Sequence, residues 1–343
     1  MTEKQYGGAS SFGFNGKIDV KDQAVKSINK ITDDKSKKEK NLDTNLKEYT
    51  DYIKAGRIAS EVVSYAKSFI KPGMKLLEIA EKIDDKISEL GGKPAFPLNL
   101  SMNETAAHDT PSYNDERVAS GLLKVDIGVS INGYTADTAF SLDLDNSTDN
   151  KKLIEAAQSA LDNAIKTIKN GATLSEIGKA IESSIKSRGL QPIQNLSGHE
   201  IKQYDLHASL IIPNFDNSSN KEISPGVYAI EPFATNGFGS VRDGKPSGIY
   251  RIESQTNVRD SFAREVLGFI IEEYNTLPFC SRWVVKKFGS RALLALRRLE
   301  DAGILHHYPQ LIEKNSGKVA QAEHTVIITE KEKIVTTVLI NSS

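Results

Sequence analysis

Cysteine is almost missing from this 343-residue chain. Cys280 stands alone, so no internal disulfide can form and a cysteine-rich zinc site is excluded. Any metal site must be built from carboxylates and the six histidines His108, His199, His207, His306, His307 and His324. A charge of one sign is missing too. The 44 Lys+Arg balance 45 Asp+Glu, which argues against a dedicated nucleic-acid binder, so no DNA partner is expected. No apolar run approaches the ~20 residues of a membrane span. The first twenty residues lack an apolar core and a small-residue cleavage pattern, so no secretory signal is expected and the cytoplasm is the expected compartment. No glycine-rich phosphate loop with its lysine occurs. What remains is a globular composition, 38% hydrophobic and 26% charged, on a chain long enough for a sizeable core.

Residues 1–43 differ from the rest. They are Gly/Ser-rich, then rich in Lys and Asp, and cannot offset their ordering entropy. A flexible charged tail is expected, with at most a short helix near residues 20–31. A ribosome- or RNA-touching arm through Lys35, Lys37, Lys38 and Lys40 is the alternative. The interspersed Asp33, Asp34 and Glu39 favour the solvated tail. From residue 44 to 343 the chain reads as one catalytic-sized domain. Tyr52, Ile53, Ile58, Val62, Val63, Ala66 and Ile70 recur at helical spacing until the KPG of residues 71–73. Leu76, Ile79, Ile83, Ile87 and Leu90 form a second stripe. Residues 121–144 then read as a β-hairpin turning at Asn132–Gly133.

The order returns roughly one hundred residues later. KPGMKLLEIAEKIDDKI (71–87) aligns with KNGATLSEIGKAIESSI (169–185), NLSMNE (99–104) with NLSGHE (195–200), and GLLKVD (121–126) with GVYAIE (226–231). The fold class expected is α+β: two internally related helix–helix–strand halves around a central antiparallel sheet. Residues 255–318 read as an inserted subdomain of three short helices. Its basic residues Arg282, Lys286, Lys287, Arg291, Arg297 and Arg298 suit either a solvated face or nucleic-acid contact. Residues 319–330 and 333–340 read as two final strands.

Asp126 sits in LLKVDIGV, between apolar neighbours. A lone carboxylate there is costly unless it is paired or holds a metal. The hairpin brings Asp137 close to it, and two nearby carboxylates stay ionised together only with a cation between them. Glu231 in VYAIEPF and Glu323 in AQAEHTVII occupy similar apolar strands, and His199 lies in NLSGHE. Each has a plain reading of its own: a turn cap for either Asp, a pair with Arg251 or a lysine for either Glu, a hydrogen-bonded core residue for His199. Together, four carboxylates and one imidazole favour Mn, Fe(II), Co or Zn, often as a bridged pair. His324 should face away from the site, His306 and His307 read as loop residues, and Cys280 as a small buried side chain.

The blocks AFPLNLSMNETAAHDTP, KVDIGVSINGYTADTA, NLSGHEIKQYDLHA, YAIEPFAT and AEHTVI resemble the successive signatures of type 2 methionine aminopeptidases, members of the pita-bread metallopeptidases. The insertion, with its winged-helix-like size, resembles the one that marks type 2. The resemblance implies an aminopeptidase, generally monomeric, that removes the initiator methionine from nascent polypeptides when the next residue is small. It implies two divalent ions held by Asp126, Asp137, His199, Glu231 and Glu323, with Glu231 also the general acid/base. His108 would contact the scissile amide nitrogen, and His207 would stabilise the oxyanion. Phe96, Leu206 and Tyr308 would receive the methionine side chain. Position 109 is Asp where many members carry an aromatic residue. A proline-specific aminopeptidase of the same fold and a non-catalytic pita-bread binding protein are the rival readings.

Overall fold

Two helix pairs with matching geometry frame the protein in the structure, a computed structural model that describes residues 48–254, 256 and 258–339. The expectations for residues 1–43 lie outside the described residues. Helix α1 (Thr50–Phe69) buries Tyr52, Ala55, Ala59, Val62 and Ala66 along one face. Helix α2 (Leu76–Glu89) buries Leu76, Ile79, Ala80, Ile83 and Ile87. Helix α3 (Thr148–Thr167) and helix α4 (Leu174–Lys186) repeat the pattern. The repeat reaches the backbone: the last residues of α1 and α3 lead into extended Ile70 and Ile168, and Gly73 and Gly171 follow at φ 81° and 79°. Only glycine takes that conformation without strain. Helix α4 adds a capping box, with Thr173 and Glu176 each accepting from the other's backbone N–H.

Strand Leu122–Ile131 pairs with Tyr134–Asp143 across Asn132 and Gly133, at φ 53° and 84°. Two positive φ values make the type I′ turn that the Asn-Gly pair predicts. In the second half, Gly226–Ile230 pairs with His324–Ile328. The expected central sheet is thus two antiparallel sheets, of four and five strands, joined at a seam, with further antiparallel sheets of three and four strands beside them. At the seam Glu323 N donates to Ala139 O at 3.0 Å, and Asp137 N donates to Thr325 Oγ1 at 2.7 Å. Each half keeps its own core, with α1 and α2 over the hairpin and α3 and α4 over the pair Gly226–Ile230 and His324–Ile328. No described helix is long and apolar enough to cross a membrane.

Three helices follow where the insertion is expected, α5 (Ser261–Tyr274), α6 (Ser281–Phe288) and α7 (Ala292–Asp301), around a third core of Ala263, Val266, Ile270, Val284 and Leu296. Three local expectations are corrected. His306 and His307 lie on a strand, Leu305–Glu313, paired with Val241–Ile252, because long-range pairing and not local sequence orders them. Residues 319–330 form two strands, Val319–Gln321 and His324–Ile328, interrupted where Glu323 turns to the seam. Arg282 is not on a basic surface. It is buried and bonded to Asp84 Oδ2 at 2.9 Å, which ties the insertion to α2.

Candidate metal centre

The hairpin and the second strand pair deliver their acidic residues to one cavity. Register pairs Asp126 with Ala139 and Gly128 with Asp137, so the two Asp side chains share a face on adjacent strands. They lie within hydrogen-bonding reach of each other. Glu231 follows strand Gly226–Ile230, and Glu323 precedes His324–Ile328. His199 arrives from strand Ser197–Glu200. Its Nε2 lies 3.5 Å from Glu231 Oε1 and 3.7 Å from Asp137 Oδ2. One ligand atom from each of Asp137, His199 and Glu323 falls within 4.8 Å of the others.

Burial pushes all four carboxyls up. Asp126 rises to about 7, with Gln321 and Asp137 opposing part of the shift through hydrogen bonds. Asp137 rises well above the ordinary range from burial, then from the charges of Asp126 and Glu231. Glu231 does so from burial and Asp126. Glu323 does so from burial, then Asp137, Glu231 and Asp126. Burial lowers His199 and His108 to about 4, so both rings are neutral near pH 7. The protein wall around His207, then His199 and His108, hold its pKa well below the usual value.

This arrangement fits a divalent cation. Asp126 Oδ1, Asp137 Oδ1 and Glu323 Oε1 are buried with no hydrogen-bond partner among the described residues. Buried carboxylates this close are unstable without a positive charge. Oxygen donors with one neutral imidazole suit Mn, Fe(II), Co or Zn. Of the alternative partners for the glutamates, Arg251 pairs instead with Glu253 at 2.8 Å.

All ten residues singled out from the sequence line this cavity: Phe96, His108, Asp126, Asp137, His199, Leu206, His207, Glu231, Tyr308 and Glu323. The rings of His199 and His207 meet edge to face at 4.5 Å, and those of His108 and Tyr308 at 5.3 Å. Phe96 and Leu206 pack with Ala95 and Leu277 in a small apolar cluster. His324 faces away and bonds Thr337 Oγ1 at 2.8 Å. Sequence reasoning missed three supporting side chains. Gln321 Nε2 reaches Glu323 Oε2 at 3.3 Å and Asp126 Oδ2 at 3.4 Å. Its place two residues before Glu323 was the available signal. Asn214 Nδ2 donates to Leu196 O at 3.0 Å and Glu231 O at 3.2 Å. Asn99 also lines the cavity. Nothing local in the sequence marks these two.

The profile of metallopeptidase family M24 matches residues 51–330. The chain is 46% identical to the methionine aminopeptidase of Methanocaldococcus jannaschii, over 84% of this chain and 98% of that one. It is 48% identical to that of Pyrococcus horikoshii, over 83% and 98%. Among solved structures, a methionine aminopeptidase from Thermotoga maritima shares the fold, with a TM-score of 0.61 at 21% identity over 84% of this chain and 95% of that one. With this cavity and these matches, the chain belongs to metallopeptidase family M24, among its methionine aminopeptidases.

Proposed function

We propose that the protein removes methionine from the N-termini of newly made polypeptides when the second residue is small. The observation that carries this is the convergence of four acidic side chains, three of them with a buried oxygen that has no partner among the described residues, and a neutral His199 beside an apolar corner. Two divalent ions would be held by Asp126, Asp137, His199, Glu231 and Glu323. When bound, the ions supply Lewis acidity toward the scissile carbonyl and the attacking water. Glu231 takes the proton from that water and returns one to the leaving amine. His207, neutral, donates an N–H to the developing oxyanion. His108 contacts the scissile amide nitrogen. Phe96, Leu206 and Tyr308 wall the space for the methionine side chain.

The protein works in this reading as a monomer in the cytoplasm, with any ribosome contact transient. Its overall match to methionine aminopeptidases disfavours a proline-specific or non-catalytic role. The test is an assay of a Met-Ala-Ser peptide and an X-Pro dipeptide with added Co or Mn. Methionine release from the first is expected. No release under any metal overturns the reading.

A further inference from the structure

The strand pair that walls one side of the cavity is irregular. Pro246 opposes Pro309 and Ile249 opposes Tyr308, so one step along Leu305–Glu313 faces three along Val241–Ile252. Ser247 and Gly248 are the extra residues of a bulge, and a bulge leaves backbone groups without their ladder partners. Two side chains supply partners here. Ser247 Oγ donates to Tyr308 O at 2.6 Å and accepts from Ile249 N at 3.0 Å. His307 Nε2 accepts from Gly248 N at 2.9 Å. A backbone N–H only donates, so this bond assigns the ring proton to Nδ1, which faces Glu300 Oε1 of α7 at 3.3 Å. Burial lowers the pKa of His307, with Glu300 opposing, so the ring is neutral near pH 7. The ring also stacks on its register partner Tyr250, with centroids 4.0 Å apart. His307 itself does not line the cavity, but Ile249 and Tyr308 at the edge of the bulge do.

We infer that His307 is a specificity-determining positioning residue: by holding the Gly248 N–H it fixes the bulge, and with it the places of Ile249 and Tyr308 against the substrate's side chain. The inference rests on the aminopeptidase reading and deepens it. Without Nε2 the Gly248 N–H loses its partner and the bulge shifts. A bulge sets where its neighbouring side chains point, so the wall then loses its fit. Apolar pockets discriminate between side chains by that fit.

The test follows steady-state cleavage of Met-Ala-Ser and norvaline-Ala-Ser by the metal-loaded full chain. The norvaline side chain is one heavy atom shorter, so wild type should prefer methionine about tenfold or more in kcat/KM. His307→Phe keeps a flat ring against Tyr250 and removes the acceptor. It should lower that preference about threefold or more, through a raised KM for the methionine peptide. His307→Gln keeps an acceptor and should keep the preference. Long-range proton–nitrogen NMR spectra of the wild type should show His307 protonated at Nδ1 alone. An unchanged preference in His307→Phe overturns the inference, and so does an equal loss on both peptides, which general destabilisation would give. If thermal melts show that variant unfolded, His307→Gln and the ring proton decide, and loss of preference in His307→Gln overturns the inference as well. A wild type that releases methionine yet carries its His307 proton on Nε2 overturns the inference alone. A wild type with no release under any metal overturns the proposed function, on which the inference rests.

Discussion

Arg117 grips the buried carboxylate of Asp109 with two parallel bonds, Nη1 to Oδ2 at 2.8 Å and Nη2 to Oδ1 at 3.0 Å. The pair stands next to His108, whose φ of 59° lies in the left-handed region. That conformation costs a non-glycine residue about 1–2 kcal/mol, so its surroundings must enforce it. Gln310 Nε2 also holds Asp109 Oδ1 at 2.9 Å, and Pro309 O faces His108 Nδ1 at 3.3 Å. Arg282 secures the next turn through Thr110 Oγ1 and Pro111 O. Asp109 therefore does for this loop what a packed aromatic ring could do by contact. Arg117→Ala should lower kcat about 10- to 100-fold by displacing His108, with a smaller effect on KM. Arg117→Lys keeps the charge but loses the fork, and should fall between. Steady-state kinetics decide: a raised KM with unchanged kcat would count against this positioning role.

Asp137 separates metal binding from folding. Like charges ~4 Å apart repel by about 4 kcal/mol at an effective dielectric of about 20. In metal-stripped protein, Asp137→Asn should therefore raise the melting midpoint at alkaline pH, where the cluster is ionised, and much less at lower pH, where burial and its neighbours already keep Asp137 protonated. With metal added, wild type should gain stability by mass action and the variant should gain much less. Differential scanning calorimetry with and without chelator, alongside metal analysis, reads both effects. A variant that melts lower than wild type in chelator would refute the repulsion.

The same carboxyls set opposite pH slopes for the two states. Asp126 moves from 3.8 to about 7, and its protonated form is the one that the metal-free fold favours. Between those values the folded state holds a proton that the unfolded state has released. Stability of metal-free protein should therefore fall as pH rises through this window. Metal binding needs the ionised form, so metal affinity should rise over the same window. Chelator-treated melts and metal titrations across it provide the check, and parallel slopes would contradict the assignment.

Helical stripes were legible because Ile79, Ile83 and Ile87 on α2, and Ile177, Ile181 and Ile185 on α4, are buried at helical spacing. The hairpin was legible from Asn132–Gly133, since few other residue pairs accept two positive φ values. The metal residues stood out for an energetic reason: charge amid apolar strand sequence has few uses. The strand Val241–Ile252 was not legible. Its stretch Arg242–Asp243–Gly244–Lys245–Pro246 reads as a loop, and register shifts at Pro246 break its alternation. Only its partner Leu305–Glu313, brought from far along the chain, makes it a strand. The bond from Gly248 N to His307 was equally hidden, because the bulge exists only once these two strands pair.

Lys124 offers a prediction of the opposite sign, away from the metal residues' chemistry. It is 1% exposed, and its Nζ donates to Asn103 O at 2.8 Å. Burial lowers its pKa from 10.5 to about 7, with Glu104 and Asp109 opposing the shift. Between these values the unfolded lysine holds a proton that the folded one gives up. Stability should therefore rise with pH across this range, and the full cost of charging the buried amine applies below it. Lys124→Met keeps most of the volume and removes the charge. Asn103 O retains a partner, since Val319 N donates to it at 3.0 Å. Even replacing a buried ion pair with well-packed apolar side chains is often neutral or stabilising by about 1–4 kcal/mol. Lys124→Met should accordingly be more stable than wild type below about pH 7, and the gap should close as pH approaches 10.5. Urea unfolding at both ends of the range measures the gap, and a constant difference between the two proteins would show that Lys124 does not titrate on folding.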